Sequence, residues 1–129
     1  MGPPAARKGD RVVALDMHMI QPPGPTSPVL VPHPFSGVLD GALSSDVTIG
    51  GAAAATVNST ATNTPSHIPI GGTFVNPPSN KATVIKGSTT VTINGQGAAR
   101  AGDTATTCND PLDLPSGTVV ATGQVFIGG

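Results

Sequence analysis

Three histidines, His18, His33 and His67, and one cysteine, Cys108, carry all the imidazole and thiol chemistry of this 129-residue chain. Three imidazole nitrogens and one thiolate make a complete tetrahedral set for Zn²⁺, since nitrogen and sulfur ligands mix freely in structural zinc sites. The residues stand 15, 34 and 41 positions apart, which fits no compact ligand motif, so the donors can meet only if the fold carries them together. Three loop histidines and a buried thiol would account for the same residues without a metal. A third arrangement keeps three histidines around the ion and a water in the fourth position, which would make a small zinc hydrolase. If Cys108 completes the shell, that position is closed. Nucleophilic catalysis by Cys108 finds little support, because the chain has no glutamate and its carboxylates stand in turn contexts.

The elements that must position these residues are short. Seventeen glycines and fourteen prolines interrupt the chain, and nowhere do apolar residues recur at helical spacing over a useful length, apart from a weak candidate at 52–57. Val, Ile and Thr are abundant and only 10% of residues are charged, which favours a turn-rich all-β fold over disorder. One domain spanning 1–129 is the expectation at this length. Three Phe and no Trp or Tyr make a thin core, one that would gain from a metal whose binding energy becomes folding energy. A lone cysteine cannot supply an internal disulfide.

A strand ending in glycine recurs as Val47-Thr48-Ile49-Gly50-Gly51, Ile68-Pro69-Ile70-Gly71-Gly72, Val91-Thr92-Ile93-Asn94-Gly95 and Val125-Phe126-Ile127-Gly128-Gly129. Two apolar residues two apart face one side of a strand, and the glycine pair or Asn-Gly supplies the positive φ of a tight hairpin. Stacked copies of such a unit can share a core that one copy cannot bury. The proline-rich 21–34 reads as an extended loop or edge excursion, and 58–66 and 76–80 as polar loops.

Arg-x-Gly-Asp also occurs twice, as Arg7 to Asp10 and Arg100 to Asp103, each after Ala-Ala. Solvated turn charges would explain it at about 0–1 kcal/mol per ion pair. A structural turn explains it better: Gly9 and Gly102 take conformations other residues avoid, Asp10 and Asp103 cap backbone N–H groups, and the alanines let strands approach closely.

Pro4-Ala5-Ala6-Arg7-Lys8-Gly9-Asp10 and Gly97-Ala98-Ala99-Arg100-Ala101-Gly102-Asp103, the latter preceded by Val91 to Asn94 and followed by Cys108, resemble the repeat of the PAAR-repeat proteins. The resemblance implies a small conical all-β fold with pseudo-threefold character and one structural zinc near the apex. Three histidines and a cysteine hold that ion in the family, so here it implies His18, His33, His67 and Cys108. It further implies a mechanical role, not an enzymatic one. Such a protein caps a trimeric spike protein (a VgrG-like β-helix), one cap per trimer, and sharpens it for membrane puncture in a type VI secretion system, an extracellular contractile injection particle or a related phage tail. It would be made in the bacterial cytoplasm, assembled at the tip of the apparatus and delivered outward, meeting the target membrane transiently. The 21 residues after Cys108 leave no room for a toxin domain, so effector proteins would be carried separately. On this view the base exposes apolar side chains, with Phe126 and Phe74 as candidates.

The remaining composition narrows the partners. A net charge of −1 and the near-absence of aromatic residues argue against nucleic acid. No apolar run reaches the length of a membrane span or of a signal-peptide core. A metal-free β-rich surface or adhesion module is the bland alternative for such a chain.

Overall fold

The fold is known from a computed structural model, which describes residues 2–128. Among the described residues eleven strands run in chain order: β1 (Arg11–Gln21), β2 (Val29–Gly41), β3 (Thr48–Ile49), β4 (Ala52–Ala53), β5 (Thr60–Asn63), β6 (Thr73–Phe74), β7 (Lys81–Val84), β8 (Thr92–Ile93), β9 (Gln96–Gly97), β10 (Thr104–Thr107) and β11 (Leu114–Val120). Among the described residues there is no helix, and the weak candidate at 52–57 is instead β4 and the turn that follows it. β1, β2, β5, β7, β10 and β11 pair in that order, all antiparallel, and β11 returns to β1 through Val12↔Val119 and its neighbours. Closure leaves no free edge along that part of the barrel.

Three copies of one unit build the barrel. Besides Ala5-Ala6 and Ala98-Ala99, a third alanine pair, Ala54-Ala55, opens the sequence Thr56-Val57-Asn58-Ser59. The six alanines are completely buried. Their backbones form a ring, in which Ala6 N–H donates to Ala99 C=O (2.9 Å), Ala99 N–H to Ala55 C=O (3.0 Å) and Ala55 N–H to Ala6 C=O (3.1 Å). Any larger side chain would push the three backbones apart, which is why alanine stands at each place. Each corner then turns through a residue of positive φ, Gly9 (94°), Asn58 (79°) or Gly102 (89°), a region open to glycine and tolerated by asparagine. The next side chain accepts from the corner's first N–H: Arg7 N–H donates to Asp10 Oδ2 (3.0 Å), Thr56 N–H to Ser59 Oγ (2.9 Å) and Arg100 N–H to Asp103 Oδ2 (2.7 Å). Gly9, Asn58 and Gly102 each donate to the carbonyl of a fully buried apolar residue, Leu39, Val84 and Val119. The architecture therefore has pseudo-threefold symmetry.

Below the alanine ring lie three hairpins. β3–β4 and β8–β9 are two, and the third is assembled from both ends of the chain, with Phe126 bridging Pro4 and Ile127 N–H donating to Pro3 C=O. Their inward isoleucines, Ile49, Ile93 and Ile127, pack with Ala5, Ala54 and Ala98 in one small cluster. Ile68 to Gly72, which shares their pattern, is no such hairpin. Ile68 and Ile70 are exposed, and Gly72 leads into β6, which pairs with the far end of β1.

Inside the barrel Phe35, Leu39, Val12 and small residues fill the space. A Cβ on Gly37 would lie 2.7 Å from the Phe35 ring, so the one large aromatic fits because its strand neighbour has no side chain. The proline-rich segment shortens to a loop at 22–28, because Val29–Gly41 is strand despite Pro32 and Pro34. Both prolines face β1, opposite Met17 and Leu15, while β5 pairs β2 only from Gly37 onward. Their missing N–H groups therefore interrupt no ladder on that side. The polar stretch at 58–66 likewise contains a strand, β5.

Candidate metal centre

At the end of the barrel away from the hairpins, the alternation of β1 turns Asp16, His18 and Ile20 inward together. His18 is buried and its ring lies 4.9 Å from that of His67 and 5.5 Å from that of His33, centroid to centroid. His67 comes from the connection between β5 and β7, its N–H donating to Asn80 Oδ1 (2.8 Å). Cys108 follows β10 directly and is 3% exposed. Its neighbours tie it to β1: Met17 N–H donates to Asn109 Oδ1 and Met19 N–H to Asp110 Oδ2, both 2.7 Å. The three histidines and the cysteine, far apart in sequence, thus gather in one place.

Asp16, fully buried, stands among them. Its Oδ2 is 2.8 Å from His67 Nε2, 3.3 Å from Cys108 Sγ and 4.0 Å from His18 Nε2, while Oδ1 accepts from Thr107 Oγ1 at 2.5 Å. Cys108 Sγ is 3.7 Å from His18 Nε2. One donor atom each from Asp16, His18, His67 and Cys108 lies within 4.8 Å of the other three, so the widest separation must close by about 1 Å to reach the roughly 3.3–3.8 Å that ligand atoms keep around tetrahedral zinc. His33 lies opposite Asp16 across β1–β2, but its Nδ1 is 2.8 Å from Val31 C=O and its Nε2 accepts from Ile70 N–H at 3.3 Å. Both of its ring nitrogens face backbone in this arrangement.

The electrostatics suit a cation. Burial, with the Asp16 carboxylate beside it, pushes the Cys108 thiol up to about 11, so it holds its proton at neutral pH until a metal displaces it. Burial and the neighbouring His67 push His18 down, favouring the neutral imidazole that metals bind. His18 Nδ1 is buried without a hydrogen bond, 3.5 Å from Asp110 Oδ2. A carboxylate behind a ring nitrogen is the arrangement that orients metal-bound histidines. The donor types, thiol, imidazole and carboxylate, are those of zinc.

Phe74 belongs to this end, not to the hairpin base, with its ring 5.4 Å from His33 and 5.8 Å from His18. Phe126 lies on the base and is about half exposed.

A family model described as the PAAR motif matches residues 31–112 and, in a second alignment, residues 75–129. The chain belongs to the PAAR-motif family. This is the spike-tip family of type VI secretion and related systems. The matches cover the Thr56–Ser59 and Arg100–Asp103 corners of the PAAR fold described above, whereas Pro4 to Arg7 lies before them. No curated protein and no solved structure matches the chain. No helix of the described residues is long and apolar enough to cross a membrane.

Proposed function

We propose that residues 1–129 form one structural tip that caps a trimeric β-helical spike and carries a single zinc ion at its far end. The observation that supports this most directly is the pairing of a pseudo-threefold hairpin base with a buried donor cluster at the opposite end of one barrel. Three near-equivalent hairpins offer three near-equivalent contacts to a threefold partner. When bound, zinc would cross-link β1, the β5–β7 connection and the end of β10, stiffening the end farthest from the base. The role is mechanical. His18, His67 and Cys108 are three ligands; the fourth is Asp16 in the arrangement described, or His33, the ligand implied by the family resemblance, if its bond to Ile70 yields.

Metal analysis of the purified protein tests the centre: about one zinc per chain is expected, with a fall in melting temperature on strong chelation. A cobalt-substituted protein should show a thiolate charge-transfer band, lost in Cys108→Ser. Comparison of Asp16→Asn with His33→Ala identifies the fourth donor, since only the ligand's variant should change the cobalt spectrum. Protein without stoichiometric metal, or indifferent to chelator, would sink the assignment. Capture of the C-terminal β-helix of a spike trimer by folded, metal-loaded protein tests the base.

A further inference from the structure

The three corners are alike in backbone but not in what they send down to the hairpin beneath. Arg7 Nη1 donates to the carbonyls of Ile49 and Gly50, 3.0 Å each, and Arg100 Nη1 to the carbonyl of Gly128 at 3.3 Å. The guanidinium thus seats on the Ile-Gly end of a strand of the adjoining hairpin in both cases. At the third corner the equivalent residue is Thr56, whose short side chain donates to its own neighbour's carbonyl, Val57 (3.1 Å), and does not reach the turn.

Where the arginine would lie there is a pocket of about 340 Å³, lined by Leu43, Ser44, Thr56, Ile93, Asn94 and Gln96 among others, none of them charged. Ile93 and Asn94 are the counterparts of Ile49 and Gly50; Asn94 has φ 53° and Gly50 57°. The turn chemistry follows the same division. A Cβ on Gly50 would stand 2.3 Å from Arg7 Nη1, so the seated arginine demands glycine there, whereas the turn beside Thr56 bears an asparagine. Asn94 Nδ2 donates to Asp46 Oδ2 (3.0 Å), which holds an exposed carboxylate at the rim of the pocket.

We propose that this pocket receives an arginine side chain from the protein that covers the base, supplying in trans the guanidinium that the other two corners supply in cis. Because Asn94 has a Cβ, the guest sits outward of the Arg7 pose, toward Ser44 and the Asp46 carboxylate. A planar guanidinium fits the requirement better than an ammonium, since it can donate to a turn carbonyl and a carboxylate at once. The source of the arginine rests on the proposed docking of the base. Each chain of a threefold partner would offer the same arginine, and only the one beneath this corner would find a pocket to seat it.

The site itself is tested without any partner. The ¹⁵N-labelled, metal-loaded full chain is titrated with methylguanidinium, using tetramethylammonium as a cation without N–H donors. Saturable shifts at Thr56, Ile93, Asn94 and Gln96 are expected from the first and none from the second. Asp46→Asn should weaken the binding about tenfold, as for loss of a charged hydrogen-bond partner. The double variant Thr56→Arg/Asn94→Gly, which rebuilds the Arg7–Gly50 arrangement, should abolish the shifts while leaving the remaining spectrum and the metal content unchanged. Absence of saturable shifts in the natural chain, or shifts undiminished in the folded double variant, overturns the site. Capture of the spike by the double variant at full strength overturns the partner as the source of the arginine. Failure of the natural chain to capture any spike refutes the capping reading and that source together, while the methylguanidinium result still decides the pocket.

Discussion

Asp10 and Asp103 occupy the same place in two of the corners, yet replacing them with alanine should have unequal effects. At the first corner the carboxylate accepts one backbone N–H, from Arg7 at 3.0 Å, and the residue is half-exposed. At the Arg100 corner, Asp103 accepts the Arg100 N–H at 2.7 Å and is also gripped by the guanidinium, Nε to Oδ2 at 3.1 Å and Nη2 to Oδ1 at 3.0 Å. The Asp103 side chain is 7% exposed and that of Arg100 14%, so solvent screens this pair less than an ordinary surface pair. Loss of the capping acceptor costs about 1 kcal/mol at either corner. Loss of the two-pronged, largely buried ion pair adds about 1–2 kcal/mol at Asp103 alone. At about 4 °C per kcal/mol for a chain of this size, Asp10→Ala should lower the melting temperature by about 4 °C and Asp103→Ala by about 8–12 °C. Calorimetry on metal-saturated protein, with urea titration as a second measure, gives both values. Arg100→Ala made in the Asp103→Ala background should then cost about 1 kcal/mol less than in the natural chain. Equal losses at the two aspartates, or no coupling between Arg100 and Asp103, would refute the reasoning.

Other outcomes follow from single features. Gly37→Ala drives a methyl to within 2.7 Å of the Phe35 ring and should destabilise by about 1–3 kcal/mol, read from the urea midpoint; a neutral result would mean that the Phe35 ring has another place to go. Because the Cys108 thiol is pushed up to about 11, zinc added to metal-free protein at pH 7.5 must displace its proton. About one proton per ion should appear in a weakly buffered indicator assay, with about one fewer in Cys108→Ser. Ala55→Val places two methyl groups at the centre of the alanine ring, where Ala6, Ala55 and Ala99 are completely buried. The variant should lose several degrees in melting temperature or fail to fold, whereas the same change at Ala101, only partly buried at the edge of the core, should cost less.

Two of the three corners were legible because Arg-x-Gly-Asp is chemically conspicuous. The third was hidden in a polar stretch, since Asn58 stands in for glycine and Ser59 for aspartate, each a weaker example of the same property. Its signal is the spacing: His18 stands eight positions after Asp10, and His67 eight positions after Ser59. Donor type alone leaves the gathering of the histidines and Cys108 as one of several readings, and only the family resemblance implies it; Asp16, two residues before His18 and so on the same face of a strand, stands out only once β1 is known to turn that face inward. The hairpin pattern misled at Ile68 to Gly72, where two prolines nearby and pairing with β1 compete with a local turn. β2 shows the converse: its prolines read as a break, and only the one-sided pairing of that half-strand explains why they are tolerated. Register and closure come from long-range contacts that no local pattern states.

The third hairpin joins residues 2–4 to residues 125–127, so its two sides are made more than a hundred residues apart. Until Ile127 has emerged, the isoleucine cluster lacks one of its three members and Ala5 has no Val125 carbonyl to bond. The base therefore becomes complete only once Ile127 has been added. A product that stops before Val125 would lack one face of the three, and any assembly that reads all three would reject it without a dedicated inspector.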